Sequence, residues 1–151
     1  MAIYVTSDAH GHVRALDEAL SKISLTSDDT LYVLGDMIDR GPDPVGVIKL
    51  VRSLPNARVL KGNHEQIMLD AIIGQDPLDA ETWDINGGWT TREQLNDMEF
   101  EAYEELVRWM AALPLYAVAE TEERPYLLVH AGIEMKAARA FLLEHGVDCA
   151  D

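Results

Sequence analysis

The sequence of 151 residues predicts an α/β fold in which parallel strands are joined by helices. Short apolar runs lead into segments whose apolar residues recur every three or four positions, and this strand–helix unit occurs three times in succession. Crossovers of this kind are right-handed and place helices on the faces of the sheet. Ligands of such sheets collect at the carboxyl ends of the strands, so the residues that follow each strand are the candidates for chemistry.

The three units follow one another along the first half of the chain. Apolar runs predict strands at residues 3–5, 31–34 and 59–60. Each strand precedes a helical stripe, and the stripes comprise Val13, Leu16, Leu20 and Ile23, then Val47, Ile48, Val51 and Leu54, then Ile67, Met68, Ala71 and Ile72. Pro42 and Pro44 suit the loop and the start of the second helix.

The sequence pattern of the second half of the chain predicts fewer regular elements than that of the first half. We expect a loop over residues 74–88, because this segment contains a proline and a Gly-Gly pair. A helix over about 99–112 follows, and a proline ends it. Two apolar runs, 115–119 and 126–129, surround a polar turn and predict a hairpin. A last helix is expected over about 135–145, ended by a glycine.

Composition excludes several classes of protein. Hydrophobic residues make up 48% and charged residues 26%, which excludes disorder along the whole chain. The 12 basic and 27 acidic residues give a net charge of −15, which disfavours nucleic acids and anionic membranes as partners. No apolar run of about 18 residues predicts a membrane span, and the N-terminus lacks a signal-peptide pattern. Cys149 is the single cysteine, so we expect no disulfide framework and a cytoplasmic location.

The predicted strand ends carry residues that suit metal binding. The segments are 8–11 (Asp-Ala-His-Gly), 35–41 (Gly-Asp-Met-Ile-Asp-Arg-Gly), 62–65 (Gly-Asn-His-Glu) and 130–132 (His-Ala-Gly). Each segment alone is a weak signal, but core packing does not explain three histidines, three aspartates and an asparagine at four strand ends. The mixture of oxygen and imidazole ligands suits Mn, Fe or Zn better than Ca. The pattern therefore predicts a two-metal site with a shared carboxylate.

These four motifs, in this order, resemble those of the calcineurin-like metallophosphoesterases, and within them the phosphoprotein-phosphatase branch. The likeness runs from Ile3 to about Ile133, and residues 86–89 (Asn-Gly-Gly-Trp) also resemble a loop of small bacterial and phage-type serine/threonine phosphatases. The resemblance implies a β-sandwich flanked by helices. It also implies a metal-dependent phosphoric monoester hydrolase whose substrate is a phosphorylated protein or a small phosphoester.

The resemblance further implies a set of metal ligands. Asp8 and His10 would bind the first metal, Asp36 would bridge both metals, and Asn63 and His130 would bind the second. The expected cofactors are two divalent ions, with manganese first and iron or zinc as alternatives. A bridging water, made acidic by the two cations, would attack phosphorus in line.

Catalytic roles are implied in the same way. Arg40 would hold phosphate oxygens with its guanidinium group. His64 would protonate the leaving oxygen, and Asp39 would orient His64 and keep it protonated near neutral pH. Lys61 stands where related phosphatases often carry an arginine that faces the phosphate, although a solvated lysine is the alternative. Three tryptophans are expected to pack rather than to stack on substrate: Trp83, Trp89 and Trp109.

Two segments of the family do not occur after Ile133: Trp-x-Arg, with a second phosphate-binding arginine, and Gly-His-Thr, whose histidine completes the second metal. We therefore expect residues 1–151 to form a single shortened domain with an incomplete second sheet and a weaker second metal site. A homodimer would cover the uncovered sheet. His145, which ends the last predicted helix, is a candidate substitute ligand.

Three functions stay open at this point. The main interpretation is a serine/threonine phosphatase, and Glu65 after His64 favours it. A dinucleoside-tetraphosphate hydrolase shares the same motifs and is the alternative within the same chemistry. A weakly active or inactive metal-binding remnant is the alternative from another class. A nuclease is disfavoured by the net charge of −15 and the lack of a basic stripe.

Overall fold

A computed structural model describes residues 2–74, 76–144 and 146 of the chain. In the first half, strands and helices alternate: β1 (Ile3–Thr6), α1 (Val13–Ile23), β2 (Thr30–Val33), α2 (Pro44–Ser53), β3 (Ala57–Val59) and α3 (Asn63–Ile73). The second half contains α4 (Pro77–Ile85), α5 (Trp89–Asn96), α6 (Phe100–Ala111), β4 (Tyr116–Glu120), β5 (Pro125–Val129) and α7 (Met135–Glu144). No helix among the described residues is both long and apolar enough to cross a bilayer.

The first three strands form a parallel sheet in the order β1-β2-β3. Ile3 lies opposite Thr30, and Leu31 lies opposite Ala57. The predicted α/β fold with parallel strands and helical crossovers is therefore confirmed. Because the strands are parallel and in register, their carboxyl ends open at one edge of the sheet.

The main core lies between this sheet and the helices. The central strand β2 is almost fully buried, with Leu31 and Val33 each 1% exposed. The residues that pack around it come from several helices and include Val47, Ile48, Val51, Met68 and Met110. Burial of each such side chain contributes about 1.5–3 kcal/mol, so the core fixes the positions of the strand ends.

Asp29 ties the start of β2 to the start of β1. Its carboxylate accepts hydrogen bonds from the backbone N–H of Ala2 (2.6 Å), the backbone N–H of Thr26 (3.0 Å) and the Thr26 hydroxyl (2.8 Å). These bonds favour the charged form and hold the pKa of Asp29 below its ordinary value of 3.8.

The prediction of a loop over residues 74–88 is wrong, because α4 occupies most of this segment and α5 follows it. Pro77 stands at the start of α4, where its missing N–H costs nothing, and Asp76 caps the helix by accepting the N–H of Leu78 (2.9 Å). The segment therefore carries a helix-start signal that the sequence analysis took for a loop signal. Trp83 anchors α4 in the core.

The expected hairpin is confirmed, since β4 and β5 pair antiparallel with Tyr116 opposite Val129. The Tyr32 hydroxyl donates to the Val118 carbonyl (3.2 Å) and links this pair to the three-stranded sheet. Among the described residues the second sheet has two strands, and Tyr116 on it is 55% exposed. The last helix is α7, and the expected end at His145 lies outside the described residues.

Candidate metal centre

Unusual backbone conformations surround the carboxyl ends of β1 and β2. Six described non-glycine residues have positive φ, and five of them lie in these two loops: Asp8 (57°), His10 (41°), Asp36 (52°), Asp39 (69°) and Arg40 (65°). Such conformations cost roughly 1–3 kcal/mol each and cluster at functional sites. The core and the loop hydrogen bonds must therefore hold this geometry in place.

The loops hold one another by backbone contacts. His10 donates its N–H to the Asp36 carbonyl (2.9 Å), and Gly11 donates to the Met37 carbonyl (2.9 Å). Gly62 must be glycine, because a Cβ there would collide with the carboxylate and the backbone nitrogen of Asp36. This close approach brings the loop after β3 against the loop after β2.

Asp36 lies at the centre of the site with its two carboxylate oxygens facing different imidazoles. Oδ1 lies 3.4 Å from His130 Nε2, and Oδ2 lies 3.6 Å from His10 Nε2. Two groups of residues converge closely enough to hold a metal ion, with ligand atoms within 4.8 Å of one another: His10, Asp36 and His64, and Asp8, Asp36 and His130. Asp36 is common to both groups, so its position is that of a bridging carboxylate.

The imidazoles of His10 and His130 are oriented as metal ligands usually are. His10 Nδ1 lies 2.8 Å from the Ile38 carbonyl, and His130 Nδ1 lies 2.8 Å from the Leu34 carbonyl. Because carbonyls only accept, each Nδ1 carries the proton and each Nε2 presents a lone pair to the site.

Asn63 and His130 supply a second argument for a cation. Asn63 Oδ1 lies 2.8 Å from His130 Nε2. Both atoms are acceptors when the imidazole is neutral and the amide oxygen faces it, and a shared cation, a proton on Nε2 or a turned amide would each satisfy this contact. The set of carboxylate, amide and imidazole donors therefore fits divalent ions such as Mn, Fe or Zn.

Arg40 joins the imidazoles of the site. Its Nη1 lies 2.9 Å from His10 Nε2, and its Nη2 lies 2.8 Å from His64 Nε2. On the other side of its ring, His64 Nδ1 lies 2.7 Å from Asp39 Oδ2. All eight residues assigned from the motifs thus lie at one edge of the sheet: Asp8, His10, Asp36, Asp39, Arg40, Asn63, His64 and His130.

Sequence reasoning missed two residues that contact Asp39. Trp83 Nε1 donates to Asp39 Oδ1 (3.0 Å), and the Thr91 hydroxyl donates to the same oxygen (2.6 Å). Trp83 does pack in the core as expected, but its polar edge reaches the site. Neither contact has a local sequence signal, because the partners are 44 and 52 residues apart.

Glu65 is the third residue whose contribution the sequence did not show. Its side chain is fully buried and accepts the N–H groups of Asp36, Met37 and Gly62, each at 2.8 Å. Burial raises the pKa of Glu65, while the three N–H donors oppose that shift. Glu65 thus joins the loop after β2 to the loop after β3. Because its side chain serves this structural purpose, its presence does not favour a protein substrate over a nucleotide.

Lys61 is directed toward a helix end. Its Nζ donates to the Ala111 carbonyl (3.1 Å) at the end of α6. The side chain also lines an open cavity of about 410 Å³ together with Asn63, Tyr116 and His130. His145, the candidate substitute ligand, lies outside the described residues.

Known proteins resemble this chain in sequence and in fold. A symmetrical bis(5'-nucleosyl)-tetraphosphatase of Erwinia tasmaniensis is 32% identical over 136 residues, covering 88% of this chain and 45% of the relative. A crystal structure of a metallophosphoesterase from Sphaerobacter thermophilus is 27% identical, with a TM-score of 0.55 over 78% of this chain and 42% of that one. The chain thus spans less than half the length of these relatives.

A protein serine/threonine phosphatase from Saccharomyces cerevisiae has the same fold, with a TM-score of 0.63 and 21% identity over 87% of this chain and 38% of that one. The family model of the calcineurin-like phosphoesterases matches residues 1–148. This family implies divalent metal ions, which the donor set described above fits. The chain belongs to the calcineurin-like phosphoesterase family.

Proposed function

We propose that this chain carries the metal-binding and acid–base residues of a hydrolase that cleaves dinucleoside tetraphosphates. The observation that carries the hydrolase assignment is the position of Asp36, whose carboxylate is shared by two converging ligand groups. The choice of substrate is supported by the curated relatives, since two of them at 32% and 33% identity are symmetrical bis(5'-nucleosyl)-tetraphosphatases. This support favours the alternative of the sequence analysis over its main interpretation.

In this proposal the metal ligands divide between two ions. Asp8, His10 and Asp36 would hold the first ion, and Asp36, Asn63 and His130 would hold the second. The closest approaches in the structure instead group Asp8 with His130, and His10 with His64, around Asp36. When bound, the two divalent cations supply charge neutralisation and a water of lowered pKa, and manganese is the ion we propose first. The carbonyl-bonded Nδ1 atoms of both histidines keep the rings turned so that Nε2 faces the Asp36 carboxylate, where the ions would be held.

Arg40 and His64 act on the phosphate itself. The two terminal nitrogens of Arg40 lie at the imidazoles, where they can take up phosphoryl oxygens as a fork. In this structure His64 Nε2 accepts from Arg40 Nη2; once Arg40 turns to the phosphate, a protonated Nε2 donates to the leaving oxygen while Nδ1 stays bonded to Asp39. Symmetrical cleavage adds one water across the central anhydride and leaves two nucleoside diphosphates.

The site is open enough to admit a large substrate. The Asp8 side chain is 58% exposed and Asn63 is exposed, so the centre is open to solvent on one side. Because the chain carries a net charge of −15, attraction for a tetraphosphate must come from Arg40 and the bound cations.

An assay of three substrates tests the proposed function. The chain with manganese is given diadenosine tetraphosphate, a phosphoserine peptide and p-nitrophenyl phosphate, with Asp36→Asn as the inactive control. We expect the highest kcat/KM for diadenosine tetraphosphate, with release of nucleoside diphosphates. Faster turnover of the phosphopeptide would favour the serine/threonine phosphatase instead. Metal binding without turnover of any substrate would favour the non-catalytic remnant.

The oligomeric state belongs to the same proposal. Leu115 and Tyr116 are 67% and 55% exposed beside the two-stranded sheet, and Met135 at the start of α7 is 80% exposed. A homodimer would cover these side chains. Sedimentation of the chain as a monomer at micromolar concentration would contradict this part of the proposal.

A further inference from the structure

The carboxylate of Asp39 is completely buried and is held from more than one side. Trp83 Nε1 lies 3.0 Å from Oδ1 and 3.2 Å from Oδ2, and Thr91 Oγ1 lies 2.6 Å from Oδ1. The Asp39 backbone N–H donates in turn to Thr91 Oγ1 (2.9 Å). The Thr91 hydroxyl therefore accepts from the backbone and donates to the carboxylate of the same residue.

These contacts leave the carboxylate one orientation. Oδ1 accepts from Trp83 and Thr91, and Oδ2 accepts from His64 Nδ1. A buried carboxylate that lost these donors would keep an unsatisfied oxygen and could rotate away from the imidazole. The orientation of His64 thus depends on donors that come from α4 and α5.

The turn between α4 and α5 holds these two donors in place beside Asp39. Gly88 lies against the Trp83 ring so closely that a Cβ would collide with it, and its N–H donates to the Trp83 carbonyl (2.9 Å). The Gly87 carbonyl accepts the backbone N–H of Arg40 (3.1 Å). One turn therefore fixes both the indole ring and the backbone next to Asp39.

We propose that Trp83 and Thr91 are positioning residues, which hold Asp39 so that the His64 imidazole keeps Nε2 directed at the leaving oxygen. This inference rests on the proposed function of His64 as the proton donor. It assigns residues of α4 and α5, outside the four metal-binding motifs, to the acid–base chemistry of the site. Neither residue contacts the candidate ligands, so metal binding is expected to be unchanged when they are replaced.

The test compares variants that remove one donor each. Trp83→Phe removes the indole N–H, and Thr91→Val removes the hydroxyl while keeping the shape of the side chain. Thr91→Ser keeps the hydroxyl and is the conservative rescue. Trp89→Phe is the matched tryptophan control, because Trp89 is 53% exposed and lies at the other end of the α4–α5 turn.

The first readout is independent of activity. Nuclear magnetic resonance of chain labelled with ¹⁵N-histidine, without added metal, reports the exchange of the His64 Nδ1 proton with water. We expect exchange to be about tenfold faster in Trp83→Phe and Thr91→Val, and unchanged in Thr91→Ser and Trp89→Phe. Unchanged exchange in folded Thr91→Val would overturn the proposal. If Trp83→Phe fails to fold, the comparison of Thr91→Val with Thr91→Ser still tests the proposal.

The second readout separates positioning from a general loss of structure. With manganese, Thr91→Val should lose about tenfold more kcat on an alkyl phosphate than on p-nitrophenyl phosphate, whose leaving group needs little protonation. Equal losses on both substrates would overturn the positioning of the acid. A parent chain that does not hydrolyse diadenosine tetraphosphate would contradict the proposed function, while the proton-exchange comparison would still decide the claim about Asp39.

Discussion

His64 Nδ1 lies 2.7 Å from Asp39 Oδ2, and neither side chain exposes more than 1% of its surface to solvent. With Nδ1 occupied by the carboxylate, Nε2 is the one ring nitrogen that faces the site and the Arg40 guanidinium. A buried aspartate that accepts from Nδ1 fixes the orientation of the imidazole ring. This pair, beside Asp36, is the structural basis of the acid–base chemistry that we propose.

Replacing His64 tests that chemistry. His64→Asn should lower kcat on an alkyl phosphate by about 10²- to 10⁴-fold, because general acid catalysis typically contributes this much. The loss on p-nitrophenyl phosphate should be much smaller, since nitrophenolate leaves without protonation. Steady-state kinetics with both substrates measures the difference, and the exposed His12→Asn is the control. Equal losses on both substrates would argue against His64 as the acid.

Glu65 gives a prediction about stability rather than activity. Glu65→Gln places an amide NH₂ against backbone N–H groups that donate to the Glu65 carboxylate in the parent chain. We expect the free energy of unfolding to fall by about 1–3 kcal/mol, because a buried donor loses its acceptor. Urea titration measures the change, and Glu104→Gln on the exposed face of α6 should leave the midpoint in place. An unchanged midpoint in Glu65→Gln would show that these bonds do not fasten the loops.

The lowered pKa of Asp29 predicts that the stability of the fold depends on pH. Its pKa is lowered in the folded state, so the unfolded chain binds more protons as the pH falls below the ordinary value of 3.8. The stabilisation that Asp29 contributes should be complete above this value and should be lost as the pH drops through the folded pKa. Urea titrations of the parent chain and Asp29→Asn at several pH values should give a difference that shrinks on acidification. A difference that is constant with pH would contradict this account.

The sequence predicted which polar residues come together better than it predicted the elements around them. The ligand residues follow their strands directly, and parallel strands bring their carboxyl ends to one edge, so local order along the chain was enough to place Asp8, Asp36 and Asn63 together. The contacts of Asp39 with Trp83 and Thr91 are different in kind. These contacts join segments that are 44 and 52 residues apart in the sequence, and no periodicity or spacing within the segments predicts them.

One prediction was wrong and one was left without support, and both outcomes have identifiable physical reasons. Pro77 can end a helix or begin one, and the capping bond of Asp76 decides between the two by satisfying the first free N–H of α4. Glu65 was taken as a sign of a protein substrate because it belongs to a motif, whereas its side chain is directed at backbone N–H groups. In both cases the residue type was informative and its partner was not visible in the sequence.

The central claim is that Asp36 is shared by two divalent ions, and metal stoichiometry tests it most directly. The parent chain and Asp36→Asn are equilibrated with manganese, dialysed and analysed by mass spectrometry of the metal, with the exposed Asp17→Asn as the control. We predict two manganese ions per chain in the parent and the control, and a loss of both ions in Asp36→Asn, since a shared ligand serves each of them. Two ions bound with unchanged affinity in Asp36→Asn, or fewer than two in the parent chain, would contradict the account.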